Sequence, residues 1–406
     1  MHKRNNNTMK KHTKHGRRAM IESLEARELL TATVTTASDT FSIGQGGARS
    51  ALAVASVGKL SATGSHLYDH GGMTDAGIVW LRDPATGTTK TYTKPWAAPG
   101  DYFGQALAGT DDGFLYVGAY GDDTGASNAG AVYVINTVTN AITRIANPTP
   151  ATNDQFGMAV AAVGTNILIG ARGDDTRGTD AGAAYLFSRT GVLLATYYSP
   201  SAHGSAFFGH AVAAAGNDVL IGAHYDNRGG HLRNGAVYRY DGAFRGELAN
   251  AKAVFSNPTP AADDRFGATM ASDGTYVLIT ADGDDVAATN GGAVHVYKAY
   301  DNTFVRTITK PGAAYGDAFG NSLAARNGRA VIGCQADDYG ASNSGAAYVF
   351  DLGSGTMTHQ IFNPTIGMND QFGSSVTILS DGSVVVGASG DDTLATDAGS
   401  TYRFVI

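Results

Sequence analysis

Repeated pairs of adjacent aspartates are the side chains of this sequence best suited to chemistry. Two carboxylates about 4 Å apart repel by roughly 4 kcal/mol at the effective dielectric of a protein surface, so each pair must face solvent, cap backbone amides or hold a cation. Capping is the preferred interpretation, because Asp followed by Thr or Gly suits a turn. The alternative is an oxygen-ligand site, for which calcium is the expected cation. The pairs are Asp122 and Asp123, Asp174 and Asp175, Asp284 and Asp285, Asp337 and Asp338, and Asp391 and Asp392, with Asp226 and Asn227 in the equivalent place.

Histidines concentrated in one stretch of the chain are the other candidate ligands. Imidazole and carboxylate groups together suit zinc and other transition metals. No fixed ligand spacing supports a metal centre here, so solvated loop histidines are the preferred interpretation, also for His66 and His70. The stretch contains His203, His210, His224 and His231.

The acidic pairs recur because a longer unit repeats along the chain. Its landmark is a Phe-Gly pair that follows a proline by eight residues and, in five units, follows an aspartate by two. Successive pairs lie 53, 52, 58, 53 and 53 residues apart, and a period of this length indicates a repeat architecture. The pairs are Phe103-Gly104, Phe156-Gly157, Phe208-Gly209, Phe266-Gly267, Phe319-Gly320 and Phe372-Gly373. The aspartates are Asp101, Asp154, Asp264, Asp317 and Asp370.

Each unit predicts four short antiparallel strands. A small or apolar run follows Phe-Gly, and a tight turn such as Asp273-Gly274 leads to a β-branched run that ends in Gly-Ala. After the acidic pair come a third strand with an aromatic residue and a fourth strand that ends at the proline. Four-stranded sheets repeated about an axis are propeller blades.

A degraded seventh unit around Ser50 to Ala53 lacks the Phe-Gly pair and the proline. We therefore expect an all-β fold, a seven-bladed β-propeller of four-stranded antiparallel blades, over residues 33–406. Thr33 to Thr36 would supply the missing outer strand of the last blade and close the ring. Strand alternation would place the loops before the first strands and between the second and third strands on one acidic face.

The order Phe-Gly, then Gly-Ala, then Gly-Ala-x-Tyr resembles the FG-GAP repeat of integrin alpha subunits and many bacterial surface proteins. The resemblance covers about residues 33–406, with six of seven units matching well. It implies a seven-bladed propeller used for adhesion or ligand binding. Integrin-type units carry a calcium loop between the first and second strands, whereas this chain has only a short turn there, such as Gly164 to Asn166. The usual calcium sites of the family therefore do not carry over.

Residues 1–32 form a separate basic segment, expected to be disordered. Residues 1–28 hold eight Lys or Arg against three Glu, and the segment lacks the apolar core of a standard secretory signal. Leu24-Glu25-Ala26-Arg27-Glu28-Leu29-Leu30 resembles the planctomycete-type extracellular N-terminal segment, which implies export to the cell surface or medium. The alternative is a basic tail that binds polyanions.

The remaining composition excludes several classes of function. Net charge is −7, which argues against nucleic acid as a partner, and no apolar run is long enough to span a membrane. Cys334 replaces the Ala of Gly-Ala and reads as a small buried hydrophobe. No catalytic motif appears, so we expect no enzyme and no assigned cofactor. The sequence favours a monomeric binding or adhesion module for a surface protein or glycan; the alternative is a hydrolase or lyase acting in the central channel.

Overall fold

The computed structural model describes residues 32–34, 36–201, 204–248 and 250–406, and the chain is all β within these ranges. No helix in the described part is long and apolar enough to cross a bilayer. The strands form seven sheets with four antiparallel strands each, arranged as the seven blades of a β-propeller. The prediction of fold and blade number is confirmed. The N-terminal segment up to residue 31 lies outside the described residues.

Thirty strands make up the sheets, and two of them precede the first blade: β1 (Ala32–Val34) and β2 (Asp39–Ser42). Blade 1 contains β3 (Ala53–Val57), β4 (Leu60–Ser65), β5 (Ile78–Arg82) and β6 (Thr89–Tyr92). Blade 2 contains β7 (Leu107–Gly109), β8 (Phe114–Ala119), β9 (Ala131–Asn136) and β10 (Ile142–Ala146). Blade 3 contains β11 (Phe156–Val163), β12 (Asn166–Ala171), β13 (Ala183–Ser188) and β14 (Leu193–Tyr198).

Blade 4 contains β15 (Ala211–Ala215), β16 (Asp218–Ala223), β17 (Ala236–Tyr240) and β19 (Ala253–Ser256), with β18 (Gly246–Leu248) inserted before its last strand. Blade 5 contains β20 (Phe266–Ser272), β21 (Tyr276–Ala281), β22 (Ala293–Lys298) and β23 (Phe304–Thr309). Blade 6 contains β24 (Leu323–Arg326), β25 (Arg329–Cys334), β26 (Ala346–Asp351) and β27 (Met357–Phe362). Blade 7 contains β28 (Phe372–Ile378), β29 (Val384–Ala388) and β30 (Ser400–Phe404). The insertion accounts for the 58-residue spacing, and β18 pairs in parallel with β14 of blade 3.

The hydrophobic core is divided among the seams between neighbouring blades, because each blade packs a face of its sheet against the next. The Phe of every Phe-Gly pair is fully buried. Phe156, for example, lies between Val132 of blade 2 and Ile167 of blade 3, with its ring 5.7 Å from Tyr185. Burying one such side chain contributes about 2–3 kcal/mol.

Backbone contacts explain why both glycine landmarks recur. The backbone amide of each Phe in a Phe-Gly pair donates to a carbonyl of the preceding blade. Phe156 N, for example, donates to Ala129 O (3.1 Å). The Gly of Gly-Ala then faces the Gly of the next Phe-Gly pair: a Cβ on Gly170 would lie 1.9 Å from Gly209 O. Side chains are excluded there for lack of space. In blade 5, Thr280 replaces this glycine.

The same contacts run through the seam between the last and first blades. Ser50 N, in the place of the Phe amide, donates to Ala398 O (3.0 Å), and the first strand of blade 7 contacts that of blade 1. The ring of seven blades is therefore closed.

The outer strand of blade 7 is β2, which pairs antiparallel with β30, from Asp39 opposite Arg403 to Ser42 opposite Ser400. The assignment of Thr33 to Thr36 to this place was wrong. Val34 in β1 instead pairs in parallel with Ile361 as a fifth strand on blade 6. The reason is connection length: fourth strands of the other blades end ten or eleven residues before the Phe position, and only β2 lies close to that distance from Ser50.

Candidate functional site

One face of the ring carries the loops before the first strands and the loops between the second and third strands; we call it the loop face. Contacts between the two kinds of loop show that they share this face. Lys94, before the first strand of blade 2, pairs with Asp101 in its own loop and with Asp122 after the second strand (3.0 Å to Oδ2).

The first acid of each pair is buried and bound by its own blade. Tyr133 OH donates to Asp122 Oδ2 (2.9 Å) and Tyr348 OH to Asp337 Oδ2 (2.5 Å), while Asp122 Oδ1 accepts the amide of Thr124 (2.9 Å). Tyr185, Tyr238 and Tyr402 bind Asp174, Asp226 and Asp391 in the same way. In blade 5, His295 Nε2 lies 3.4 Å from Asp284 Oδ2. These carboxylates hold the third strand to the loop.

The second acid of each pair is exposed and caps the same loop. Asp123 Oδ1 accepts a hydrogen bond from the backbone amide of Asn128, five residues further along the chain (2.8 Å). Oδ2 of Asp123 takes no part in this cap. The equivalent acids do the same at 2.7–2.8 Å: Asp175, Asp285, Asp338 and Asp392. Within the described ranges, no three His, Cys, Asp or Glu side chains are grouped to hold a metal. Calcium stays a prediction.

The acids before Phe-Gly form a second buried set that depends on the residue before the proline. Asp154 Oδ2 accepts the Ala151 amide (2.7 Å) and Asn147 Nδ2 (2.8 Å). Burial, reinforced by the charge of Asp174, raises the pKa of Asp154 to about 6. Asp370 beside Asp391 has its pKa raised to about 6 for the same reasons.

Lysine replaces that asparagine in blades 2 and 6 and forms ion pairs with two acids of its blade. Lys310 Nζ lies 3.0 Å from both Asp317 Oδ2 and Asp337 Oδ2. In blade 2, burial opposes ionisation of Asp122, but bonds from Thr124 and Lys94 still hold the pKa of Asp122 below its usual range. Sequence reasoning missed this substitution, although its signal is the residue before each landmark proline: Lys94, Asn147, Ser199, Asn257, Lys310 and Asn363.

Several histidines are packed, contrary to the expectation of solvated loop residues. The rings of His210 and His224 lie 3.8 Å apart, and burial lowers the pKa of His210 to about 4 and that of His224 to about 2. His66 is also buried, which lowers its pKa to about 4. His231 lines a partly open cavity of about 400 Å³ with Arg228. His203 lies outside the described residues.

A set of seven positions was overlooked in the sequence: the residue directly after the second strand of each blade, on the loop face. Elsewhere the units repeat the same landmarks, but these seven equivalent positions carry six different residue types, with histidine in blades 1 and 4 only. The signal was the position after each Gly-Ala dipeptide or its equivalent. We call them the variable ring: His66, Tyr120, Arg172, His224, Asp282, Gln335 and Ser389.

The central channel offers little for catalysis. First strands of blades 1, 2, 6 and 7 line a cavity of about 270 Å³ with small and apolar side chains. Its charged lining residues, Asp111 and Arg326, pair with each other at 2.6 Å. Cys334 is fully buried, which raises the pKa of its thiol well above the usual value, in agreement with its interpretation as a small hydrophobe.

The family comparison agrees with this geometry. The FG-GAP repeat model matches five segments that together exceed half of the chain: residues 96–135, 142–187, 200–240, 303–350 and 366–404. They fall on blades 2, 3, 4, 6 and 7. Six units were expected to match; blade 5 is not among the matches, and it is the blade with Thr280 and His295 at landmark positions. No curated protein matches the chain. The repeated seams, the buried Phe-Gly pairs and the five matched segments show that the chain belongs to the FG-GAP repeat family.

Proposed function

We propose that this protein is an exported, non-enzymatic binding or adhesion module whose contact surface is the loop face. The observation that carries the proposal is a cluster of exposed apolar side chains on the loops of blades 5 to 7. We call it the acidic-apolar patch, and its apolar members are Val286, Tyr315, Tyr339, Ile366, Met368 and Leu394.

The patch is continuous across blades and strongly exposed. Tyr315 is 80% and Met368 is 68% exposed. The loops of blades 6 and 7 touch, because Asn343 Nδ2 donates to Asn369 Oδ1 (2.9 Å). Grouped apolar side chains at a loop-rich surface mark a site of interaction.

Charge within the patch has one sign. Residues 284–292, 311–318, 337–345, 364–371 and 391–399, which form its five loops, contain no Lys or Arg. Asp285, Asp338 and Asp392 are exposed there. The complementary partner is therefore a protein surface with apolar side chains beside Lys or Arg, since opposite charge steers association and burial of apolar area supplies affinity.

Two independent features of the chain support the proposal of export. FG-GAP repeats are typical of extracellular and cell-surface proteins, and the N-terminal segment resembles an extracellular targeting segment. Fractionation of the producing cells should recover the protein from the medium or the cell surface. A purely cytoplasmic pool would contradict export without touching the binding proposal.

The binding proposal is tested on arrays of proteins and glycans, with and without calcium. Changing Tyr315, Met368 and Leu394 together to Ser should abolish capture of basic protein ligands, and capture by the unaltered protein should weaken as salt is raised. The control changes Val138 and Val192 to Ser; both are exposed, but in turns on the opposite face. Equal loss of ligand capture in both variants would contradict the assignment of the contact surface to the loop face. Turnover of an arrayed substrate that survives the patch variant would favour the channel enzyme instead.

A further inference from the structure

Arg172 of the variable ring is a positive charge without a paired carboxylate. In the described part of the chain no Asp or Glu oxygen lies within 4.0 Å of its guanidinium. Two loop-face arginines of neighbouring blades are paired: Arg265 Nε lies 3.0 Å from Asp282 and Arg233 Nε lies 2.7 Å from Asp263. Asp180 acts on Arg172 only at longer range.

The contacts of Arg172 hold it in place without neutralising it. Its Nε donates to Gln155 Oε1 (2.6 Å), and Nη1 lies 3.5 Å from His210 Nδ1. Burial lowers the pKa of Arg172, and it also keeps His210 and His224 uncharged near neutral pH. A guanidinium has five N–H groups in a planar fork. Most of them remain available to an anion.

Aromatic side chains flank Arg172 on both sides. On the blade 2 side, Tyr102 and Tyr120 stack with ring centres 4.8 Å apart. On the blade 4 side, the guanidinium carbon lies 5.8 Å from the Phe207 ring, which contacts Tyr225 at 5.4 Å. Tyr120 and Tyr225 both lie within electrostatic range of the Arg172 guanidinium.

Two buried polar atoms near these aromatic side chains also lack a hydrogen-bond partner within the described residues. They are Nδ1 of His224, whose ring lies 3.8 Å from that of His210, and Nδ1 of His66, whose ring lies 6.0 Å from that of Tyr102. A buried polar atom without a hydrogen bond is unfavourable, because it has lost its bonds to water. Such atoms around an unpaired cation point to a polar ligand.

We propose that Arg172 and the aromatic side chains around it form a binding site for a carboxylate-bearing sugar. A carboxylate matches the planar donor fork of arginine, and flat aromatic faces suit the C–H faces of a sugar ring. This site is separate from the acidic-apolar patch and goes beyond the proposed function.

The test uses isothermal titration calorimetry of the full chain with an oligogalacturonate. Its methyl ester and a neutral oligoglucoside serve as ligand controls. We expect the oligogalacturonate to bind, and the ester and the neutral sugar to bind at least tenfold more weakly. Equal binding of acid and ester would overturn the proposal, as would no heat with the acid. A sulfated oligosaccharide that binds tenfold more tightly than the uronate would reassign the site to sulfate and overturn the carboxylate.

Variants separate the site from general electrostatics. Arg172→Gln should weaken oligogalacturonate binding at least tenfold, whereas Arg177→Gln, which removes a 51% exposed charge from the same blade and face, should leave it within twofold. Equal effects of the two variants would contradict the site. Tyr120→Leu, which keeps Arg172, provides a second test if the first variant unfolds: binding should again weaken, and unchanged binding would count against it. The Tyr315, Met368 and Leu394 variant should bind the sugar normally, so failure of one proposal leaves the other standing.

Discussion

Gly170 and Gly209 face each other across the seam between blades 3 and 4 with no room for a side chain. A Cβ on Gly170 would lie 1.9 Å from the Gly209 carbonyl oxygen. The two glycines belong to different repeat landmarks, Gly-Ala and Phe-Gly, so the landmarks of the repeat are the two halves of one contact. This contact sets how closely neighbouring blades approach near the axis.

Gly170→Ala should therefore destabilise the protein by about 2–4 kcal/mol, because the seam must open or the backbone must shift. Gly44→Ala is the matched control, since no atom lies within 4 Å of a Cβ there and its φ is not positive. Thermal or urea unfolding measures both. Similar stability of the two variants would show that the seam is more plastic than these contacts imply.

Much of the fold was predictable because the residues that each blade requires recur in several units of the sequence. Six Phe-Gly pairs at one period defined the blades, and the acid pairs located the loop face. The closing strand was misplaced because it occurs once and depends on connection length. The variable ring was missed for a different reason: no residue type recurs there except histidine, at His66 and His224, so the equivalent positions are related by their place in the unit and not by a common residue.

Adjacent acids of one pair should respond very differently to the same change. Asp337→Asn removes a buried charge bound by Tyr348 and Lys310, and should cost about 2–4 kcal/mol because it leaves the lysine without part of its counter-charge. Asp338→Asn alters an exposed cap of the Asn343 amide and should cost less than about 1 kcal/mol. Chemical unfolding of the two variants is the comparison. If Asp338→Asn were the more damaging, or if calcium stabilised the unaltered protein and not this variant, a role beyond capping would be indicated.

Paired truncations test how the ring is closed. Removing residues 1–35 deletes β1, which only adds an edge strand to blade 6, and should lower the melting temperature slightly. Removing residues 1–43 also deletes β2, leaving β30 with an open edge and breaking the ion pair between Asp39 and Arg82 (2.7 Å). The second truncation should therefore melt many degrees lower. Equal melting of the two would mean that β2 does not hold the ring together.

The residue before the proline, asparagine or lysine, predicts how strongly the stability contributed by the neighbouring acid depends on pH. The pKa of Asp154 is raised to about 6 in the folded protein, above its unfolded value, so its contribution to stability is full below about pH 4 and is lost as pH rises through 6. Between pH 5 and pH 7 this loss is about 1 kcal/mol. Asn147→Lys places a cation beside Asp154, as Lys310 lies beside Asp317, and should remove the loss.

The measurement is the free energy of unfolding of Asn147→Lys minus that of the unaltered protein, at pH 5 and pH 7. For Asn147→Lys this difference should rise with pH. The same difference measured for the reciprocal change Lys310→Asn should fall with pH, since Asp317 and Asp337 would then be buried without a cation. Taking differences cancels the histidines, because His66 and His210, with pKa values lowered to about 4, stabilise the fold above about pH 6.5 and lose that contribution as pH falls. A difference that does not change with pH in either variant would show that the residue before the proline does not control the ionisation of these acids.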